Sequence, residues 1–165
     1  MRKHILVLIF VMAATFGQAG DEIVVTDADD PEMAAAVTMA QENLDKFLAD
    51  YAKYKGQPTD YGVKVAFPVK EKDTNAEVIW VTYFDQIDVN HFVGRLSNEP
   101  NFMPGLHLDS DVSFTRDMIQ DWYILEDGKV YGYFTVRVLL PQLNETTADE
   151  VRRSMHENPL PARFQ

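Results

Sequence analysis

The sequence predicts an α+β domain: an N-terminal amphipathic helix packed on a twisted or partly closed, mainly antiparallel sheet of five to six strands, with a short C-terminal helix. Three observations carry this. Met33, Ala36, Val37, Ala40, Leu44, Phe47, Leu48 and Tyr51 recur at three- and four-residue spacing, the repeat of one buried helix face. From Tyr61 onward the apolar residues alternate or gather in short β-branched and aromatic segments. Glu126-Asp127-Gly128 separates two such segments as a hairpin turn.

The helix has a defined start and stop. Asp30 can accept from the free N–H groups of the first turn, Pro31 suits the first helical position, and Glu32 suits the positive dipole end. Lys53 and Lys55 suit the last turn, Gly56 can end it in the left-handed region, and Pro58 prevents continuation. The first strand, Tyr61 to Phe67, places Val63, Val65 and Phe67 on one face and Lys64 and Ala66 on the other. Pro68 cannot donate to a ladder, which predicts an edge position or a bulge there.

Glu77 to Phe84, rich in Val, Ile, Trp and Tyr, reads as a central strand paired as a hairpin with His91 to Leu96. A long loop follows over residues 97–111, with two prolines and a glycine, and loops of this length are often functional. Val112 to Thr115 resumes a strand, and Arg116 to Gln120 suits one helical turn. Trp122 to Leu125 and Lys129 to Leu140 then form the second hairpin. Pro141 stops the sheet, and Thr147 with Glu150 has the spacing of a capping box opening a short helix to about Glu157. The tail, with two further prolines, is expected to pack loosely.

Residues 1–19 stand apart. Arg2, Lys3 and His4 precede an apolar run from Ile5 to Phe16, broken only by Thr15, and Gly17 and Ala19 occupy the −3 and −1 positions of a small-residue cleavage site. This three-part pattern is that of a secretory signal peptide, and the run is too short to span a bilayer. The expected organisation is a signal peptide over 1–19, an acidic lead-in over 20–30 with a β-like patch at Ile23-Val24-Val25, one domain over 31–140, and a short helix and tail over 141–165. With 15 Lys and Arg against 26 Asp and Glu the chain carries a net charge of −11, and loss of Arg2 and Lys3 with the signal takes it to −13. Such a balance argues against nucleic acid and anionic membrane as partners, and no stable anchor remains after cleavage. The chain has no cysteine, which removes disulfides, thiol nucleophiles and Cys-ligated metal. The signal-peptide pattern predicts a periplasmic or secreted protein, and without cysteine its core must hold without cross-links.

The ordered set Trp80, Gly94-Arg95-Leu96-Ser97-Asn98-Glu99-Pro100, Pro104-Gly105-Leu106, Ile119-Gln120-Asp121-Trp122, Asp127-Gly128-Lys129 and Gly132 to Val138 resembles the YegJ-like bacterial domain family over about residues 77–140. The chain departs from that pattern at Asp109, where the family often has glycine, and at Gly132-Tyr133, where it often pairs two glycines. The family carries no established activity, so the resemblance implies fold and compartment rather than a reaction; some of its members have signal peptides.

Candidate binding residues are Asn98, Glu99, Asp121, Trp122, Tyr131 and Arg137. Asn98 can hold the loop closed through its amide, and Glu99, held extended by Pro100, can present an acidic contact or brace a rigid turn. Asp121 and Trp122, adjacent on a strand, would face opposite sides, with one turned out; Asp121 can instead cap local N–H groups. Arg137 can pair with an internal carboxylate or clamp that of a ligand. Tyr83, Tyr131, Tyr133 and Phe134 can form an aromatic surface for sugar or peptide, or line two ordinary sheet faces. Trp80 suits core packing or a stacking platform. His91, His107 and His156 lack metal-ligand spacing, so no catalytic residue, metal or cofactor is assigned. Two readings of function stand. One is an acidic, non-enzymatic interaction module, inhibitor- or immunity-like toward a basic protein. The other is a small cell-wall-directed hydrolase or carbohydrate binder using Glu99 and Asp121.

Overall fold

The structure is a computed structural model that describes residues 4–9, 22–27, 30–56, 60–71 and 74–165. In chain order the elements are β1 (His4–Ile9), β2 (Glu22–Asp27), α1 (Pro31–Glu42), α2 (Leu44–Tyr54), β3 (Asp60–Pro68), β4 (Thr74–Gln86), β5 (His91–Leu96), β6 (Asp111–Thr115), β7 (Ile119–Glu126), β8 (Lys129–Gly132), α3 (Phe134–Leu139) and α4 (Glu145–Ser154). The fold is α+β, as the patterning predicts. Six strands run antiparallel in the order β6-β5-β4-β3-β7-β8, and the sheet does not close. The β-like patch of the lead-in lies in β2, which pairs with β1, and β1 joins the first half of β4 in parallel. The proposed cleavage site lies outside the described residues.

The single long helix predicted from the spacing is two helices. Asp30 caps α1 through its carboxylate, which accepts from the N–H groups of Glu32 (2.9 Å) and Met33 (3.3 Å). At Asn43 the backbone leaves the helical region, and its amide donates to the Met39 carbonyl at 2.9 Å. A side chain that competes for helix carbonyls interrupts the ladder. Gly56, with φ +87°, ends the pair in the left-handed region as expected. Both helices cover one sheet face, where Phe47 stacks on Trp122 (5.0 Å) and on Phe84 (6.1 Å).

β3 is central, not an edge. β7 partners it only from Asp60 to Val65, so at Pro68 one side of the strand is already free and the missing N–H breaks no bond. The largest correction concerns Lys129 to Leu140. The strand stops at Gly132 and the β-branched run Phe134–Leu139 is helical. Gly132 (φ +80°) and Tyr133 (φ +54°) are both left-handed and reverse the chain. A Cβ at Gly132 would strike the Trp122 carbonyl and ring, so this reversal needs glycine there. The capping box at Thr147 and Glu150 is displaced: Asn144 caps α4 by accepting from Thr147 N–H at 3.0 Å, and the helix ends at Ser154.

With α3 and α4 the sheet acquires a second layer. Val136, Leu139, Ala148 and Val151 pack with Val78, Trp80 and Tyr123 on the face opposite α1 and α2. The tail is also tightly held. Arg163 binds both carboxylate oxygens of buried Asp50 (2.6 and 2.9 Å) and reaches Glu126 (2.8 Å), and Phe164 is buried against Trp122. Two helical layers cover β3, β7 and the first half of β4. The arm formed by β5, β6 and the second half of β4 is covered on one side only.

Candidate functional site

The six residues singled out from the sequence do not converge on one cleft; Asp121 bonds its neighbour Trp122, and Tyr131 and Arg137 share His156. Asn98 is buried, and its carboxamide nitrogen and oxygen find no partner, so it does not hold the loop. That work falls to Glu77, fully buried in β4, whose carboxylate accepts from Asn101 N–H (2.7 Å) and Phe102 N–H (2.8 Å). Glu99 braces the loop from within, accepting from Leu108 N–H (2.9 Å) and pairing with His107 Nδ1 (2.9 Å). These partners hold its carboxyl below the ordinary range, the Leu108 N–H most. Trp122 is buried and donates from Nε1 to the Ala40 carbonyl at 3.0 Å. Arg137 turns back on the chain, donating to the carbonyls of Gly132 (3.1 Å) and His156 (2.8 Å). Tyr131 stacks on His156 with centroids 4.5 Å apart.

Asp121 and Trp122 do point to opposite faces, but both faces are covered, so neither turns out. Asp121 caps α3 from thirteen residues away. Its carboxylate accepts from the N–H groups of Trp122 (2.8 Å), Phe134 (3.1 Å) and Thr135 (2.8 Å) and from Thr135 Oγ1 (2.6 Å). Lys64, 1% exposed and paired with Asp121 across β3 and β7, donates from Nζ to Thr135 Oγ1 at 3.1 Å. Burial lowers the Lys64 ammonium to about 8, with Asp121 opposing. Burial also raises the Asp121 carboxyl, against the pull of Lys64 and the donated bonds. Sequence reading missed Lys64 because strand alternation assigned it to an outer face, and α3, itself unforeseen, covers that face. Trp80 is core, with Lys64 Nζ 5.6 Å from its ring.

Among the described residues, the uncovered side of the β4–β5–β6 arm is open to a partner. Between the pairs Thr82↔Arg95 and Asp85↔Val93, two residues of β4 oppose the single Gly94. This is a β-bulge, and it resets the alternation of the strand. Phe84 turns into the core, and Tyr83 turns out to 79% exposure with φ +47°. A left-handed backbone at a bulky residue costs on the order of 1–3 kcal/mol. Gly94 permits the close approach, since a Cβ there would lie 2.6 Å from Val81 Cγ1 and 2.9 Å from Phe84 Cβ. Gly94 inside a strand pattern was the one sequence signal for this bulge. Tyr83, Val93, Arg95, Asp111 and Ser113 line an open groove of about 440 Å³, and Ile87 and Val89 are exposed at the hairpin end. Arg95 and Asp111 pair at 3.4 Å at the groove, both exposed.

A family model described as "Uncharacterized protein conserved in bacteria (DUF2314)" matches residues 30–156. The chain belongs to this family. It is also 27% identical to "Uncharacterized protein YegJ" of Escherichia coli (strain K12) over 168 residues, covering 94% of this chain and 99% of that protein. No solved structure gives a significant match. The family match starts at Asp30, the α1 cap, and ends at His156, whose N–H donates to the Val130 carbonyl at 2.9 Å beside β8. The matched segment therefore contains both helical layers and the whole bulged arm. Among the described residues of this family member, no three His, Asp or Glu side chains gather to hold a metal ion. An exposed tyrosine and arginine around an open groove of mixed polar and apolar lining is the composition of a protein-contact patch.

Proposed function

We propose that this family member is an extracytoplasmic interaction module, without catalytic activity of its own, that binds a basic protein partner in the manner of an inhibitor or immunity protein. The observation that carries this reading is Tyr83. A bulge spends backbone energy to take a large aromatic side chain out of the core and hold it at 79% exposure. The same bulge seats Phe84 in the core against Phe47 and Tyr51 and leaves Tyr83 free for a contact outside the domain. The net charge of −11 favours a positively charged partner and speeds its encounter. The basic start, apolar run and small-residue site of residues 1–19 support the compartment. Cleavage after Ala19 would remove β1 and leave β2.

Two measurements test the proposal. N-terminal sequencing of the protein recovered from the periplasmic fraction is expected to begin at Gly20; an intact chain retained in the cytoplasm overturns the compartment. Affinity capture from periplasmic extract is expected to recover a basic protein more strongly at low salt than at high salt, since exposed charge attraction is screened within about 8–10 Å at physiological ionic strength. The Tyr83→Ala variant should lose that capture while remaining folded. Equal capture by wild type and variant removes the groove from the reading.

A further inference from the structure

The two ends of the antiparallel sheet are finished differently. The outer edge of β8 is sealed by the chain itself: Val130 bridges Met155, His156 N–H donates to the Val130 carbonyl at 2.9 Å, and Gly132 N–H donates to the Pro159 carbonyl at 2.7 Å. At the other end β6 has a single strand neighbour, β5, among the described residues. Which of its backbone groups are free follows from the register. Leu96 N–H donates to the Ser110 carbonyl (3.1 Å), and Arg116 N–H donates to the Asn90 carbonyl (2.9 Å). Hydrogen-bonded and non-bonded pairs alternate along an antiparallel ladder. The even-numbered residues of β6 therefore face β5, and Asp111 and Ser113 turn both N–H and C=O to the open edge. Thr115 is odd as well, but its N–H is taken by Met118 Sδ at 3.4 Å.

We propose that this edge is a strand-addition site that takes an extended, basic segment of the partner as one more strand of the sheet. The inference rests on the interaction-module reading and names how the partner is held. An added strand would gain the paired donors and acceptors of Asp111 and Ser113, whose side chains also line the Tyr83 groove. Charge selects the occupant. Asp109 and Asp117 flank the edge and Asp111 lies on it, with Arg116 already engaged by Asp45 at 2.7 Å and Arg95 reaching Asp111 at 3.4 Å through an exposed contact that an incoming cation can share. A second copy paired antiparallel about Ser113 would set Asp111 of one chain opposite Thr115 of the other, a pair that leaves the aspartate without a counter-charge. A segment carrying Lys or Arg at alternate positions meets carboxylates instead.

The probe is an acetylated, amidated heptapeptide alternating lysine and valine, titrated to millimolar concentration into the isotope-labelled full chain. Hydrogen exchange at the Asp111 and Ser113 amides is expected to slow on binding. The same peptide N-methylated at alternate residues, and one with glutamate for lysine, should each bind at least about tenfold more weakly. Ser113→Pro removes an outward N–H that β5 does not use, and should weaken the lysine peptide similarly. Absence of protection at these two amides overturns the proposal, as does equal binding of the N-methylated peptide. Protection that appears without peptide and grows with protein concentration also overturns it, in favour of a second copy. Tyr83→Ala separates the two levels: if it abolishes partner capture while Ser113→Pro does not, the groove stands and the edge falls.

Discussion

Replacing Asp121 by alanine is expected to destabilise the domain by about 3–5 kcal/mol, the cost of orphaning the buried donors that it binds and of removing the charge that faces Lys64 through Thr135. The structure shows what is lost. Three backbone N–H groups and the Thr135 hydroxyl donate to this one carboxylate, and Lys64 stands across the strand pair, its ammonium favoured by the Asp121 charge. Each orphaned buried donor costs roughly 1–3 kcal/mol, and the total stays below the sum because α3 can fray and admit water. Chemical denaturation followed by tryptophan fluorescence gives the magnitude, and its pH dependence gives the cause. In wild type the Lys64 ammonium sits at about 8 in the folded chain against 10.5 for an ordinary lysine. Between those values the unfolded chain binds the extra proton, so this group makes stability rise with pH across that window. The gap corresponds to about 3 kcal/mol. Lys64→Met abolishes that rise, and the wild-type minus variant difference cancels the titrating tyrosines common to both. In Asp121→Asn the lysine loses its counter-charge, so the rise starts below pH 8 and the cost of the substitution shrinks as pH increases. A difference curve flat between pH 8 and 10.5, or an Asp121→Ala cost under about 1 kcal/mol, refutes the coupling of these side chains.

Other expectations follow from single residues. Tyr83→Gly should raise stability by about 1 kcal/mol in thermal denaturation, because glycine accepts the left-handed backbone freely, while partner capture is lost. Gly132→Ala should cost at least about 2 kcal/mol and loosen α3, since a Cβ there meets the Trp122 carbonyl and ring; hydrogen exchange at Phe134 and Thr135 reads the loosening. Arg163→Ala should cost about 2–4 kcal/mol in denaturation and free the tail to limited proteolysis, because buried Asp50 loses both bonds of its guanidinium partner. Glu99→Gln should leave global stability nearly unchanged but shift the Leu108 amide resonance. In wild type that resonance should titrate below the ordinary glutamate range, with the bracing present at higher pH and lost as the carboxyl protonates.

The sequence alone determined the parts whose signals are local. The cap at Asp30, the stop at Gly56, the β4–β5 hairpin and the turn at Asp127-Gly128 depend on residues within a few positions of each other, and all were legible. So were the family, the charge and the absence of cysteine. Only the tertiary structure decided the rest. Phe134–Leu139 has the composition of a strand, yet it is a helix because a carboxylate on β7, thirteen residues earlier, satisfies its first N–H groups. That helix in turn buries Lys64, which alternation had placed outside, and denies Asp121 an open face, while α1 and α2 cover Trp122 on the other side. The loop over 97–111 kept its place but not its presumed strut, because Glu77 reaches it from twenty-four residues away while Asn98 bonds nothing. Tyr83 left the core through a bulge that depends on Gly94, on the neighbouring strand. In each case the deciding partner is distant in sequence, and propensity and periodicity report only on neighbours along the chain.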